Sequence, residues 1–387
     1  MRFTARTDFG SGESPYGEAL RSARQSGRAL LDLTVSNPTQ CGFNYPADVI
    51  LSALGQPEGL RYAADPMGAL QARQAIAHRY SVDADRVMLT ASTSEAYGYL
   101  LRLLCEPGDE VLVPSPSYPL FDLLARLHDV HLVAYPLVYH DGWQVDTAAL
   151  ERAITPRTRA IVVVHPNNPT GHFCSAVDRA AIYDIAQRHS LAVAVDEVFL
   201  EYPVEAATGQ ASFAAHSASV LTFVLGGLSK LLAMPGMKVA WTIVCGPAGD
   251  QKAALERLEV IADTFLSVAT PQQLALPHWL ALQGAIQPQI ARRVRHNLAA
   301  LDIVIAGTAV SRLQVQGGWT VVLRVPALEP DVDTCIRLMQ AGVVVHPGSL
   351  YGFAERGWIV MSLLPEASVF LRGAELVVEG VTENPTR

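Results

Sequence analysis

The 387-residue chain is poor in the features that mark several large protein classes. Cysteine is scarce and scattered. Cys41, Cys105, Cys174, Cys245 and Cys335 are odd in number and form no Cys-x-x-Cys pair, which argues against a disulfide framework and a thiolate zinc site. Charge is also low, at 17% of residues, and its balance is acidic, with a formal net charge of -8. Basic residues cluster only at Arg292-Arg293-Val294-Arg295-His296, which reads as the polar face of a helix, so no nucleic-acid surface is expected. Long apolar runs are missing too. The most lipophilic window, 218–245, is broken by Lys230, Pro235 and Lys238 before it reaches the roughly 18 residues of a membrane span. No apolar run follows Met1-Arg2-Phe3-Thr4-Ala5-Arg6, so no secretory signal is expected, and the protein reads as soluble and cytoplasmic.

Half of the residues are hydrophobic, enough for a large core, and the length favours more than one domain. Short β-branched runs at 87–90, 110–113, 130–134, 160–164, 191–195, 220–225 and 239–244 alternate with helical patterns at 94–104, 119–128, 176–189 and 248–267. The expected fold is α/β, with a mainly parallel seven-stranded sheet covered by helices on both faces. A long helix is expected near 271–300, and strand-rich sequence follows it. The division expected is a large domain over 46–285 and a smaller α+β domain over 286–387, which the N-terminal segment 1–45 joins.

Four stretches carry candidate chemistry. In Gly226-Gly227-Leu228-Ser229-Lys230, a lysine stands between two apolar segments; burial there lowers an ammonium pKa and makes an amine suited to a Schiff base. The strand 160–164 runs into His165-Pro166-Asn167-Asn168-Pro169-Thr170-Gly171, a turn that can present an Asn amide at the carboxyl end of a sheet. The strand 191–195 ends in Asp196, a buried acid in need of a partner. Leu89-Thr90-Ala91-Ser92-Thr93-Ser94-Glu95 passes from strand to helix through hydroxyl residues, a pattern that either caps a helix or cradles an anion.

The order of Asn168-Pro169-Thr170-Gly171, Asp196, Ser229-Lys230 and Pro235-Gly236 resembles the fold type I pyridoxal-phosphate enzymes, specifically the class I/II aminotransferases. The resemblance runs from Asn37-Pro38 to His346-Pro347-Gly348-Ser349, nearly the whole chain. It implies that Lys230 forms the Schiff base with pyridoxal 5'-phosphate and shuttles a proton. It also implies that Asp196 pairs with the ring nitrogen, that Asn168 donates to the ring oxygen, and that Tyr118 and Val198 cover the two ring faces. Ser92, Thr93, Ser94, Ser229 and Lys238 would surround the phosphate, and Tyr62 would reach the phosphate of a neighbouring subunit in a homodimer. The implied substrates are a small amine donor and an oxo-acid or carbonyl acceptor.

Four positions depart from the family. Val360 stands where the family has an arginine that grips the substrate carboxylate, with Arg324 and Arg356 as nearby substitutes; Phe199 replaces a tyrosine, Lys238 an arginine, and Gly227 a hydroxyl residue. The expectation is therefore an aminotransferase with an altered donor site. Elimination, replacement, decarboxylation or cyclisation on the same cofactor is one alternative, and a non-catalytic binding protein on a decayed scaffold is another. His165 and His346 are candidates for the pocket wall, with a structural role the simpler reading for each.

Overall fold

Near-continuous runs of Val, Ile, Leu and Ala form the centre of an eight-stranded sheet in the computed structural model, which describes residues 1, 3–9, 12–205 and 210–382. In chain order its strands are β1 (Val87–Thr90), β2 (Glu110–Ser115), β3 (His131–Tyr139), β4 (Trp143–Val145), β5 (Thr158–Val164), β6 (Ala192–Asp196), β7 (Thr222–Gly227) and β8 (Ala240–Cys245). Their order across the sheet is β1-β8-β7-β6-β5-β2-β3-β4. Neighbours from β7 through β3 are parallel, whereas β8 runs antiparallel to β1 and β7, and β4 antiparallel to β3.

The seven expected strands are all present, and β4 is an eighth. It was not legible because β4 is a three-residue strand at the sheet edge whose middle residue, Gln144, is exposed, so no continuous apolar run arises. Along β5, Ile161 and Val163 pack into one core cluster while Val162 and Val164 pack into another, so both faces of the sheet are covered. Each such side chain contributes about 1.5–3 kcal/mol on burial. The helix expected at 271–300 is two helices, Thr270–Leu280 and Gln283–Ile305. The chain closes between them in a tight turn, where Leu282 N–H donates to the Trp279 carbonyl at 2.9 Å.

A second sheet of four antiparallel strands contains Ser311–Arg312, Thr320–Arg324, Trp358–Ser362 and His346–Pro347, in that spatial order. The N-terminal Leu31–Asp32 pairs in parallel with Val343–Val344, and Tyr16 hydroxyl donates to the Val345 carbonyl at 2.9 Å. These bonds bring the N-terminal segment against the last third of the chain. Among the described residues no helix is long and apolar enough to cross a membrane.

Candidate active site

Val164, Asp196 and Gly227 end three neighbouring parallel strands, and all three line one cavity of about 290 Å³. Ligands of α/β sheets collect at this carboxyl edge because the strands stop there and the chain turns away, leaving a crevice. The second sheet and the N-terminal segment supply the facing residues, including Thr34, Ser36, Thr320, His346, Val360 and Ser362.

Lys230 reaches the cavity because the chain leaves β7 with almost no side-chain volume. A Cβ on Gly226 would lie 2.5 Å from the Trp241 indole nitrogen, so only glycine lets the strand pass that ring. Lys230 then sits in the short helix Leu228–Leu231, whose end is tied down by Tyr202 hydroxyl donating 2.8 Å to the Lys230 carbonyl. Its Nζ lies 5.2 Å from the centre of the Trp319 ring and 5.5 Å from that of Phe199. Burial pulls the ammonium below the usual lysine range, and the Asp196 carboxylate opposes this in part. Trp319 is brought to the cavity by a close backbone approach. Gly317 N–H donates to the Gly171 carbonyl at 2.7 Å, and Gly171, at a φ of 72°, has no space for a Cβ there.

Asp196 is held by two donors, Val198 N–H at 3.1 Å and Tyr97 hydroxyl at 3.3 Å. Burial nonetheless pushes its carboxyl up to about 6, against the lowering effects of those donors and of Lys230. Asn168, Tyr118 and Val198 line the same cavity. The Asn168 amide oxygen, an acceptor, is buried without a hydrogen-bond partner among the described residues, and no described residue takes its amide N–H groups, so the side chain is open to a ligand. The helix Thr93–Leu104 starts at the cavity. Ser92 Oγ caps it by accepting from Glu95 N–H at 3.2 Å, and Glu95 accepts in turn from Ala91 N–H at 2.7 Å. Thr93 and Ser94, with first-turn amides that lack intrahelical acceptors, line the cavity beside Ser229.

Eight of the expected site residues thus converge: Thr93, Ser94, Tyr118, Asn168, Asp196, Val198, Ser229 and Lys230. Three stand off the cavity wall. Ser92 uses its hydroxyl oxygen as the helix cap; Lys238 is exposed, at a φ of 52°; and Tyr62, 79% exposed, borders a separate cleft with Asp65 and Gln273. Among the described residues no arginine lines the cavity. The Arg324 guanidinium lies over the Trp358 ring at 4.5 Å and donates to the Arg356 carbonyl, while Arg356 is exposed. His165 is buried away from the cavity, accepting from Cys174 N–H between the rings of Phe173 and Phe213; His346 does line it.

Trp319, Tyr97, Tyr351 and the hydroxyls of Thr34 and Ser36 were missed as site residues. Tyr97 had a readable signal, since it lies one turn after Thr93 on the same helix and so faces the same way. The others come from distant chain and had none.

A buried amine with a lowered pKa, an oriented carboxylate at a strand end, an unpartnered side-chain amide and a helix N-terminus meet in one cavity, and they fit an aromatic aldehyde bearing a cationic ring nitrogen and a phosphate. That set on this sheet defines a pyridoxal-phosphate enzyme of fold type I. Residues 28–369 match the aminotransferase class I and II family, and the chain belongs to that family, whose members use pyridoxal 5'-phosphate.

The chain is 34% identical over 272 residues to the alanine aminotransferase of Mycobacterium tuberculosis, a match over 68% of this chain and 62% of the relative's length. It is 30% identical over 269 residues to the glutamate-pyruvate aminotransferase AlaA of Escherichia coli, over 67% of this chain and 66% of the relative. The match therefore spans just under two thirds of either relative. In fold it resembles the alanine aminotransferase from Pyrococcus furiosus, with a TM-score of 0.88 at 24% identity, covering 99% of this chain and 100% of the other.

Proposed function

We propose that the protein is a pyridoxal-phosphate-dependent aminotransferase that moves an amino group from a small amine or amino-acid donor to an oxo-acid or carbonyl acceptor, using a donor site without a carboxylate-gripping arginine. The observation that carries this reading is the convergence of Lys230, Asp196 and Asn168 on a cavity with no arginine among its described lining residues. The names of the alanine and glutamate-pyruvate aminotransferase relatives support the transfer reaction.

The bound cofactor supplies a conjugated cationic ring that makes a carbanion next to the donor nitrogen accessible. The chain's residues do the rest. Lys230 Nζ, whose ammonium form burial disfavours, would be the attachment point and would then hold and move the proton at the donor carbon. Asp196, fixed by Val198 and Tyr97, would hold a positive ring nitrogen. Asn168 would bind the ring oxygen, Tyr118 and Val198 would cover the ring faces, and Thr93, Ser94 and Ser229 would take the phosphate, with Ser92 and Lys238, which stand off the cavity wall, as its outer partners. The working form is a cytoplasmic homodimer in which Tyr62 reaches the neighbouring site, and the cavity lies between a larger unit over 46–285 and a smaller one over 286–387 joined by 1–45.

The test is a single-turnover half-reaction of the holoenzyme with a panel of amines and amino acids. Conversion of the cofactor to its amine form, with one equivalent of oxo product, is expected. Release of ammonia or carbon dioxide without that form would overturn the transfer reading in favour of elimination or decarboxylation.

A further inference from the structure

The cavity wall built by the second sheet is nearly free of charge. Among the described residues that line the cavity, Lys230 and Asp196 are the ionic groups, and both belong to the cofactor side in the reading above. Val360, 1% exposed, lines the wall with Met361 and Leu364. A carboxylate placed there would lose its water without a cation to replace it.

His346 sits directly beside that spot. It is the Cα partner of Val360 across the antiparallel pair, so the two side chains leave the same face of the sheet as close neighbours. Both line the cavity. The imidazole is fixed through Nδ1, 3.0 Å from the Tyr351 hydroxyl, which leaves Nε2 as its free polar atom; no described residue pairs with it. Of the hydroxyls that the facing wall supplies, Thr34 donates to the Asp32 carboxylate at 2.5 Å, Thr320 to the Pro169 carbonyl at 2.9 Å and Ser362 to the Val35 carbonyl at 2.6 Å, which leaves Ser36 as the one without a partner among the described residues.

Resting on the aminotransferase reading, we propose that His346, oriented by Tyr351, selects the donor by hydrogen-bonding an uncharged polar group beside its amine, so that the substrates are amino alcohols or amino-acid amides. Burial favours the neutral imidazole, with Asp32 opposing, and holds the Tyr351 phenol protonated up to about 12, so the pair meets the donor without charge. A hydroxyl or carboxamide gives up less hydration than a carboxylate on entering this wall, and Nε2 supplies the one partner it needs.

The test uses the holoenzyme and three matched series, the amino acid, its amide and its amino alcohol on the alanine, leucine and phenylalanine skeletons, in single-turnover half-reactions. Within at least one series the amide or the alcohol should exceed the parent amino acid in kcat/KM by about tenfold or more. His346→Leu should lower kcat/KM for the favoured amide or alcohol by about tenfold more than for the parent amino acid, through KM and with the cofactor spectrum unchanged, and Tyr351→Phe should act in the same direction by less. Calorimetry of the wild type with the unreactive analogues lactamide and lactate should give the same order of affinity, independent of how the variants fold. Amino acids equal to or better than their amides and alcohols would overturn this inference while leaving the transfer reading intact, as would an equal loss on all three classes in His346→Leu. Failure of all nine donors to convert the cofactor would overturn both.

Discussion

Asp196 lets the conflict between apoprotein stability and cofactor binding be measured. Its carboxyl rises from an ordinary 3.8 to about 6 in the folded chain, with burial the leading cause. The native state therefore binds a proton more tightly than the unfolded chain does, and stability falls as pH rises from about 4 through about 6. At roughly 1.36 kcal/mol per pH unit, the ionised carboxylate costs the apoprotein about 3 kcal/mol above pH 6. That is a ceiling, because Asp196 keeps some exposure to the cavity and because its removal strips Lys230 of a countercharge. Asp196→Asn keeps the shape and an acceptor for Val198 N–H while deleting the charge. In urea denaturation of the apoprotein, the variant should be more stable than the wild type by up to about 3 kcal/mol near pH 8, and by about half as much near pH 5. Glu197, pushed up to about 7 by burial, adds its own slope, but it is common to both proteins and largely drops out of the difference. With pyridoxal phosphate added, the order should reverse, because the wild-type carboxylate then has a cationic partner and the variant does not. A variant apoprotein less stable than the wild type at pH 8, or an advantage that does not shrink with acid, would refute the reasoning.

Borohydride reduction of the wild type with pyridoxal phosphate should place a stable adduct on the peptide containing Lys230, rather than on Lys238 or Lys252, and Lys230→Ala should lose both adduct and visible band. A label that persists in the variant would displace Lys230 from its role. Leu60 is 94% exposed and Tyr62 79%, an apolar pair with no cover from its own chain. Sedimentation of the wild type should show a dimer, and Leu60→Asp should shift it toward monomer and weaken cofactor binding by about tenfold or more, since Tyr62 no longer reaches a second site; a monomeric wild type that binds the cofactor tightly would end the dimer reading.

The sheet was legible where burial is two-sided. β5, β6 and β7 are covered on both faces, so each carries a plain apolar run, and their ends at Val164, Asp196 and Gly227 line the site. The edge strand β4 failed the same test because one-sided exposure breaks the run. The capping of helix Thr93–Leu104 was readable from Ser92 and Glu95, which act within one turn. Arg356 and Arg324 were named as possible carboxylate grips, yet Arg356 is exposed and the Arg324 guanidinium is taken up by the Trp358 ring and the Arg356 carbonyl, contacts that the sequence does not reveal.

By itself, then, the sequence determined the local pieces: the glycine-flanked lysine, the acid at a strand end, the Asn turn and the capped helix, each set by neighbours within a few residues. The tertiary structure decided what the lysine faces. Trp319 arrives through the Gly171–Gly317 contact, and His346 stands beside Val360 through strand register, which changes which side chains share a face whenever it slips by one residue. Such contacts join chain far apart in sequence, and only folding puts them in one cavity.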